Sequence, residues 1–195
     1  MPLILLNKPY RVLCQFRDEG GRETLATFIS DRSVYPAGRL DFDSEGLAIL
    51  TDDGRLQSRI SDPRFKLDKH YWVQVEGEAT DKQISELMAG VTIRNHPAKA
   101  LFTKVIAEPP NLWARTPPIR ERRAIPTSWL DIVINEGKNR QVRRMTAAVG
   151  LPALRLIRHR IGPWRLKRLQ PGEIEELKTA SAWTRLNDYL SAAFD

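Results

Sequence analysis

The apolar residues of this chain fall into short runs, each broken by proline or glycine, and that punctuation restricts the fold more than any other feature. Leu3 to Leu6 is an apolar strand ended by Lys8-Pro9. Gly46 to Thr51 (GLAILT) is a buried strand entered from a turn, and His70 to Glu76 (HYWVQVE) is a β-rich run. Ala98 to Ala107 is a strand stopped by Pro109-Pro110, and Ser128 to Asn135 and Leu154 to Ile161 are two more. Helices are fewer. Glu23 to Ser30 sets Leu25, Phe28 and Ile29 on one helical face, and Asp53 to Ser61 is a short helix stopped before Pro63. Thr80 and Gln83 form a capping box ahead of Ile84, Leu87 and Met88, and Gly90 closes that helix. Asn139 to Val149 turns Val142, Met145 and Val149 inward, and a last helix covers about Ala182 to Ala193. Strands outnumber helices and do not alternate with them as βαβ units would. The expected class is therefore α+β, with a central mixed, mainly antiparallel sheet.

A length of 195 residues suits one domain, or two subdomains sharing one core. No apolar run approaches the ~20 residues of a membrane span. Met1 to Leu6 lacks the basic n-region of a signal peptide. A lone cysteine, Cys14, leaves no internal disulfide and points to a reducing compartment, so a cytoplasmic protein is expected. Asn111 to Pro126 is the least regular stretch. With Arg115, Arg120, Arg122 and Arg123 among three prolines, it reads as an exposed basic loop.

The net charge is +7, and its position matters more than its size. Ten of the 31 lysines and arginines lie between Gly137 and Gly172, where there is no Asp or Glu; the other 21 are outnumbered by 24 acidic residues. The ten are Lys138, Arg140, Arg143, Arg144, Arg155, Arg158, Arg160, Arg165, Lys167 and Arg168. A solvated basic face is the plain reading. The interleaved apolar residues, with Trp164 as a stacking surface, favour a polyanionic partner, because each neutralised phosphate releases counterions.

The segment GRLDFDSEGLAILT, Gly38 to Thr51, is a glycine-flanked acidic loop running directly into an apolar strand. Carboxylates at a strand's mouth can be held rigidly beside a cleft. Asp41, Asp43, Glu45, Gly46 and Asp52 nearly match a calcium loop, but the twelfth position lacks glutamate and the flanks are not helical. His70, His96, His159 and Cys14 have no metal-ligand spacing, and no Gly-rich phosphate or dinucleotide turn occurs. No metal and no organic cofactor is expected, and a methyltransferase is disfavoured by the missing Gly-rich turn.

The GRLD segment resembles the catalytic motif of the pseudouridine synthases, in the branch that modifies ribosomal RNA. Asn7-Lys8-Pro9 is similar to that branch's opening. Lys69 to Gly77 resembles its tyrosine motif, and Glu136 to Met145 its arginine motif. Leu156 with Arg158-His159-Arg160-Ile161-Gly162 resembles its closing motif. The resemblance spans nearly the whole chain, with the four motifs in order. It implies a pseudouridine synthase fold, with the sheet split into two subdomains, flanking helices and a cleft between them. It also implies isomerisation of a specific uridine in large-subunit ribosomal RNA, with the base flipped out and no cofactor. Many relatives carry an N-terminal RNA-binding domain of S4 type. Here the motif lies only about 40 residues in, so residues 1–195 are expected to form a single catalytic domain, acting as a monomer.

By the same resemblance Asp41 is the nucleophile, and whether it attacks the sugar, attacks the base or assists a glycal route stays open. Arg143 corresponds to the arginine that pairs with it and keeps it ionised; on the residues alone Arg143 would be a phosphate contact. Tyr71 would stack on the uracil or act as a base, where sequence alone gives packing. Leu156 would wall the base pocket, and Arg39 would hold the displaced nucleotide or a phosphate. Lys138, Arg140, Arg144, Arg158 and Arg160 are the expected RNA contacts. The competing class is a non-catalytic ribosome-associated RNA-binding protein, which would need no Asp41, Tyr71 and Arg143 set.

Overall fold

The computed structural model describes residues 2–119 and 125–192. Along the chain come β1 (Pro2–Lys8), β2 (Tyr35–Pro36), β3 (Glu45–Thr51), α1 (Gly54–Ser61), β4 (Lys69–Glu76) and α2 (Asp81–Ala89). Then follow β5 (Val91–Ile93), β6 (His96–Ala98), β7 (Phe102–Ile106), β8 (Thr127–Ile134) and α3 (Gln141–Ala148). The chain continues with β9 (Ala153–Ile161), β10 (Trp164–Arg165), β11 (Ile174–Lys178) and α4 (Thr179–Ser191). The class is α+β. The chain divides into two compact units, one of residues 1–67 and 158–195, the other of residues 68–157, and the division falls inside β9.

In the first unit β1 lies between β11 and β3, antiparallel to both. Every residue of β3 is buried, as are Leu3 to Lys8 of β1, so both faces of these strands are covered. Ile4, Leu6, Ala48 and Leu50 meet Leu25, Ile29, Val34 and Leu40 on one side. Alternation sends Leu3, Leu5, Leu47 and Ile49 to the other. Asp53 caps α1, accepting from the Arg55 and Leu56 N–H groups, and Trp183 of α4 donates to its second oxygen at 2.9 Å. One expectation fails here: Glu23 to Ser30 forms only a 3₁₀ turn, Leu25–Thr27. The Leu25 N–H donates to the Gln15 carbonyl, and Leu13 N–H to that of Glu23, so the segment is tied to a neighbouring strand-like stretch before a helix can propagate.

In the second unit β8 lies between β4 and β7, antiparallel to both. The strict alternation of β4 buries Tyr71, Val73 and Val75 against Leu130 and Ile132 of β8. Ile84 and Leu87 of α2 and Val142 and Met145 of α3 cover this face. The Thr80–Gln83 capping box is present, and Gly90 ends α2 at φ +118, but Met88 is 38% exposed and stands outside the stripe. The expected strand over Ala98 to Ala107 is observed only as β7, Phe102–Ile106, and Ala98 instead ends β6. β6 pairs back on β5 through Arg94 and Asn95, both at positive φ, in a hairpin whose turn carries no glycine to announce it.

Candidate active site

The loop carrying Asp41 is fixed in the first unit by backbone bonds at Asp41 and at the residue after it. Ser44 N–H closes a turn on the Asp41 carbonyl at 3.1 Å, and Arg11 N–H holds the Phe42 carbonyl at 2.9 Å. Asp41 is half-buried and Arg39 exposed. Gly46, at φ +103, is where the loop enters β3. A Cβ there would stand 2.4 Å from the Arg158 carbonyl oxygen, so only glycine lets the two segments approach.

Behind the loop sits a charge that sequence reasoning assigned no role. Lys8 is fully buried, its ammonium donating to the carbonyls of Pro9 at 2.8 Å and Val12 at 2.9 Å. Burial pushes its pKa down to about 8 from the ordinary 10.5, against the opposing pull of Cys14, Glu45 and Asp43; Arg158 adds to the depression. Glu45 is 2% exposed, so the acidic loop is turned inward at this end and is not a solvated rim. The pattern carried a signal for Lys8: it falls in phase with Ile4 and Leu6, on the face that packs on Cys14.

In the second unit Tyr71 is 6% exposed and shares one core cluster with Leu156, Val142 and Met145. Tyr71 and Leu156 are thereby brought together with the helix that carries Arg143. Arg143 is half-buried and donates from Nη1 to the Ala153 carbonyl at 3.2 Å. Lys138 donates to the Pro97 carbonyl and lies 3.3 Å from Glu136. Arg144 is bonded to Asn139. Arg140 precedes α3 in the left-handed region at φ +53, which starts the helix two residues later than expected.

The basic stretch is less uniform than its sequence implies. Arg155 and Arg158 are 6% and 3% exposed; Arg155 donates to the Trp113 carbonyl and Arg158 Nε to that of Leu47 at 2.8 Å. Arg158, expected as an RNA contact, is a buried brace between β9 and β3. Trp164 is 1% exposed and offers no stacking surface. Arg160 lies against the Tyr189 ring at 5.4 Å, with Nε on the Gly162 carbonyl. Arg165, Lys167 and Arg168 face solvent. In the Asn111 to Pro126 segment, Arg115 is not a free cation, because it donates to the carbonyls of Pro117, Pro118 and Leu154. Arg120, Arg122 and Arg123 lie outside the described residues.

The family described as RNA pseudouridylate synthase matches residues 2–148. Ribosomal large subunit pseudouridine synthase E of Xanthomonas campestris pv. campestris is 53% identical over 173 residues, covering 88% of this chain and 92% of that protein. The protein of the same description from Vibrio vulnificus is 51% identical over 179 residues, covering 92% and 76%. Among solved structures, the crystal structure of a pseudouridylate synthase has a TM-score of 0.75 at 27% identity, covering 95% of this chain and 74% of that one.

Proposed function

Because this chain belongs to the RNA pseudouridylate synthase family, and is an RNA pseudouridine synthase, we propose that it isomerises one specific uridine of large-subunit ribosomal RNA with Asp41 as nucleophile. The observation that carries the assignment of Asp41 is the rigidity of its loop. Turn, cross-loop bond and glycine contact fix the backbone from Asp41 through Gly46, at and just after one half-buried carboxylate. A binding protein gains nothing from such order, whereas a nucleophile must be held within a fraction of an ångström of its target. The names of the relatives support ribosomal RNA of the large subunit as substrate.

The reaction breaks the bond between uracil N1 and sugar C1′, turns the base and joins C5 to C1′. The C5 proton is lost and N1 gains one, so the sum is redox-neutral. Asp41 supplies the carboxylate. Tyr71 stacks on the displaced base or takes the C5 proton, Arg143 lends its positive charge to the reacting centre, and Leu156 contributes apolar wall. Asp41→Asn keeps the shape of the side chain and removes its anionic nucleophile. It should abolish pseudouridine formation in a single-turnover assay while the circular dichroism spectrum and RNA affinity stay at parental values. Measurable turnover by the variant would overturn the assignment. Mapping pseudouridines in ribosomal RNA from cells lacking the protein should show one uridine unmodified, and a full complement would overturn the substrate.

A further inference from the structure

The first unit contains a cavity of about 810 Å³ that none of the family motifs explains, although Arg39 stands at its edge. Its lining includes Cys14, Phe16, Arg17, Arg32, Tyr35 and Arg39, and no carboxylate. Three guanidinium groups around one cavity, with no acidic residue in the lining, favour an anion. Arg32 is already placed, stacked 5.1 Å over the Phe16 ring and donating to the Ala26 carbonyl at 3.2 Å. The Arg17 carbonyl accepts from Gln15 Nε2 at 2.6 Å, but the guanidinium groups of Arg17 and Arg39 make no hydrogen bond or ion pair among the described residues.

The aromatic groups add a second requirement. Tyr35 is 61% exposed, yet its backbone is pinned: Tyr35 and Pro36 pair with Thr51 and Leu50, and Gln57 donates to the Pro36 carbonyl at 3.0 Å. A rigid backbone that holds an aromatic ring in solvent beside arginines is the arrangement that takes an unstacked base and its phosphate. The volume lies within the ~300–1,000 Å³ of sites that take small ligands. Position supplies the third argument. Arg39 is two residues from Asp41, so the rim of the cavity is no more than ~7 Å of chain from the nucleophile.

We propose that this cavity binds an unpaired nucleotide flanking the target uridine, its phosphate on Arg17 and Arg39 and its base on Tyr35. The proposal rests on the RNA-modifying function above and assigns it a substrate-selecting subsite outside the reacting centre. A paired nucleotide keeps its base in the stack and cannot reach Tyr35, so the subsite selects single-stranded sequence beside the target.

The test is equilibrium binding of a fluorescein-labelled single-stranded oligouridylate, with a blunt RNA duplex of equal length as the comparison. Tyr35→Ala should weaken single-strand binding about tenfold, Tyr35→Phe should restore it, and both should leave duplex affinity unchanged. Arg17→Ala should weaken the single strand and lower its salt slope by about 0.7, the loss of one phosphate contact. Equal single-strand affinity in the parent and in Tyr35→Ala would overturn the proposal, as would equal losses for single strand and duplex. Binding is read without turnover and repeats in Asp41→Asn, so a failure of the catalytic assignment shows only in product formation and a failure of the subsite only in affinity.

Discussion

Lys8 shows how much one buried cation can determine. Its ammonium braces the carbonyls of Pro9 and Val12, and between them Arg11 N–H holds Phe42, the neighbour of Asp41. Because burial holds its folded pKa at about 8, below the 10.5 of an exposed lysine, the unfolded chain binds more protons between those values. Stability therefore rises with pH across that window, and below it the full cost of burying the charge is present. Lys8→Met removes the titration. In urea unfolding from pH 7 to 10.5, the parent should gain on the order of 3 kcal/mol relative to the variant. The variant should also lose turnover at every pH, since the loop beside Asp41 loses its brace. At Gly46 the constraint is steric: Gly46→Ala places a methyl 2.4 Å from a backbone oxygen at a φ that L residues avoid. A loss of at least about 2 kcal/mol and a lowered Tm are expected. Asp41 and Gly46 were legible as a motif, but the reason for the glycine was not, because Arg158 is 112 residues away in sequence.

At the scale of elements, Asp53 does two tasks, capping α1 and accepting from Trp183 of α4. The Trp183 hydrogen bond, with the backbone bonds, holds the Asp53 carboxyl below its ordinary 3.8. A depressed carboxylate contributes stability above that ordinary value and loses it as pH falls through the folded one. Trp183→Phe should cost about 0.5–1 kcal/mol at neutral pH in urea unfolding, because solvent screens the Asp53 carboxylate, and the difference from the parent should shrink as the solution is acidified below the aspartate range. Elements with a local signature were readable from sequence: the capping box and terminal glycine of α2, the alternation of β4, the apolar run of β3. Elements decided by distant partners were not. β11 alternates exposed and half-buried residues and exists because β1 offers it an edge. The apolar spacing of Leu25, Phe28 and Ile29 fits a helix, but Leu13 N–H takes the Glu23 carbonyl a helix would have used, and the Leu25 N–H is tied to the Gln15 carbonyl.

For the molecule as a whole, the charge count located the cations and burial sorts them. Arg155 and Arg158 are spent on carbonyls inside the protein, while Arg165, Lys167 and Arg168 face solvent. Composition alone cannot make that distinction, since both groups occupy one acid-free stretch. Changing Arg165 or Arg168 to Ala should each lower the slope of log affinity for duplex RNA against log salt by about 0.7–0.9 with little loss of stability, whereas Arg158→Ala should lower Tm. Salt slopes unchanged in both surface variants would refute this part of the RNA footprint. The buried lysine also has a use as a clock. The Lys8 amine is fully buried, so an acylating reagent in solvent cannot meet it in the closed protein. Its acetylation must wait for residues 9–12 to lift away. Mass-spectrometric labelling of Lys8, timed against that of exposed lysines such as Lys82, would then read how often the first unit opens behind the aspartate, and whether bound RNA keeps it shut.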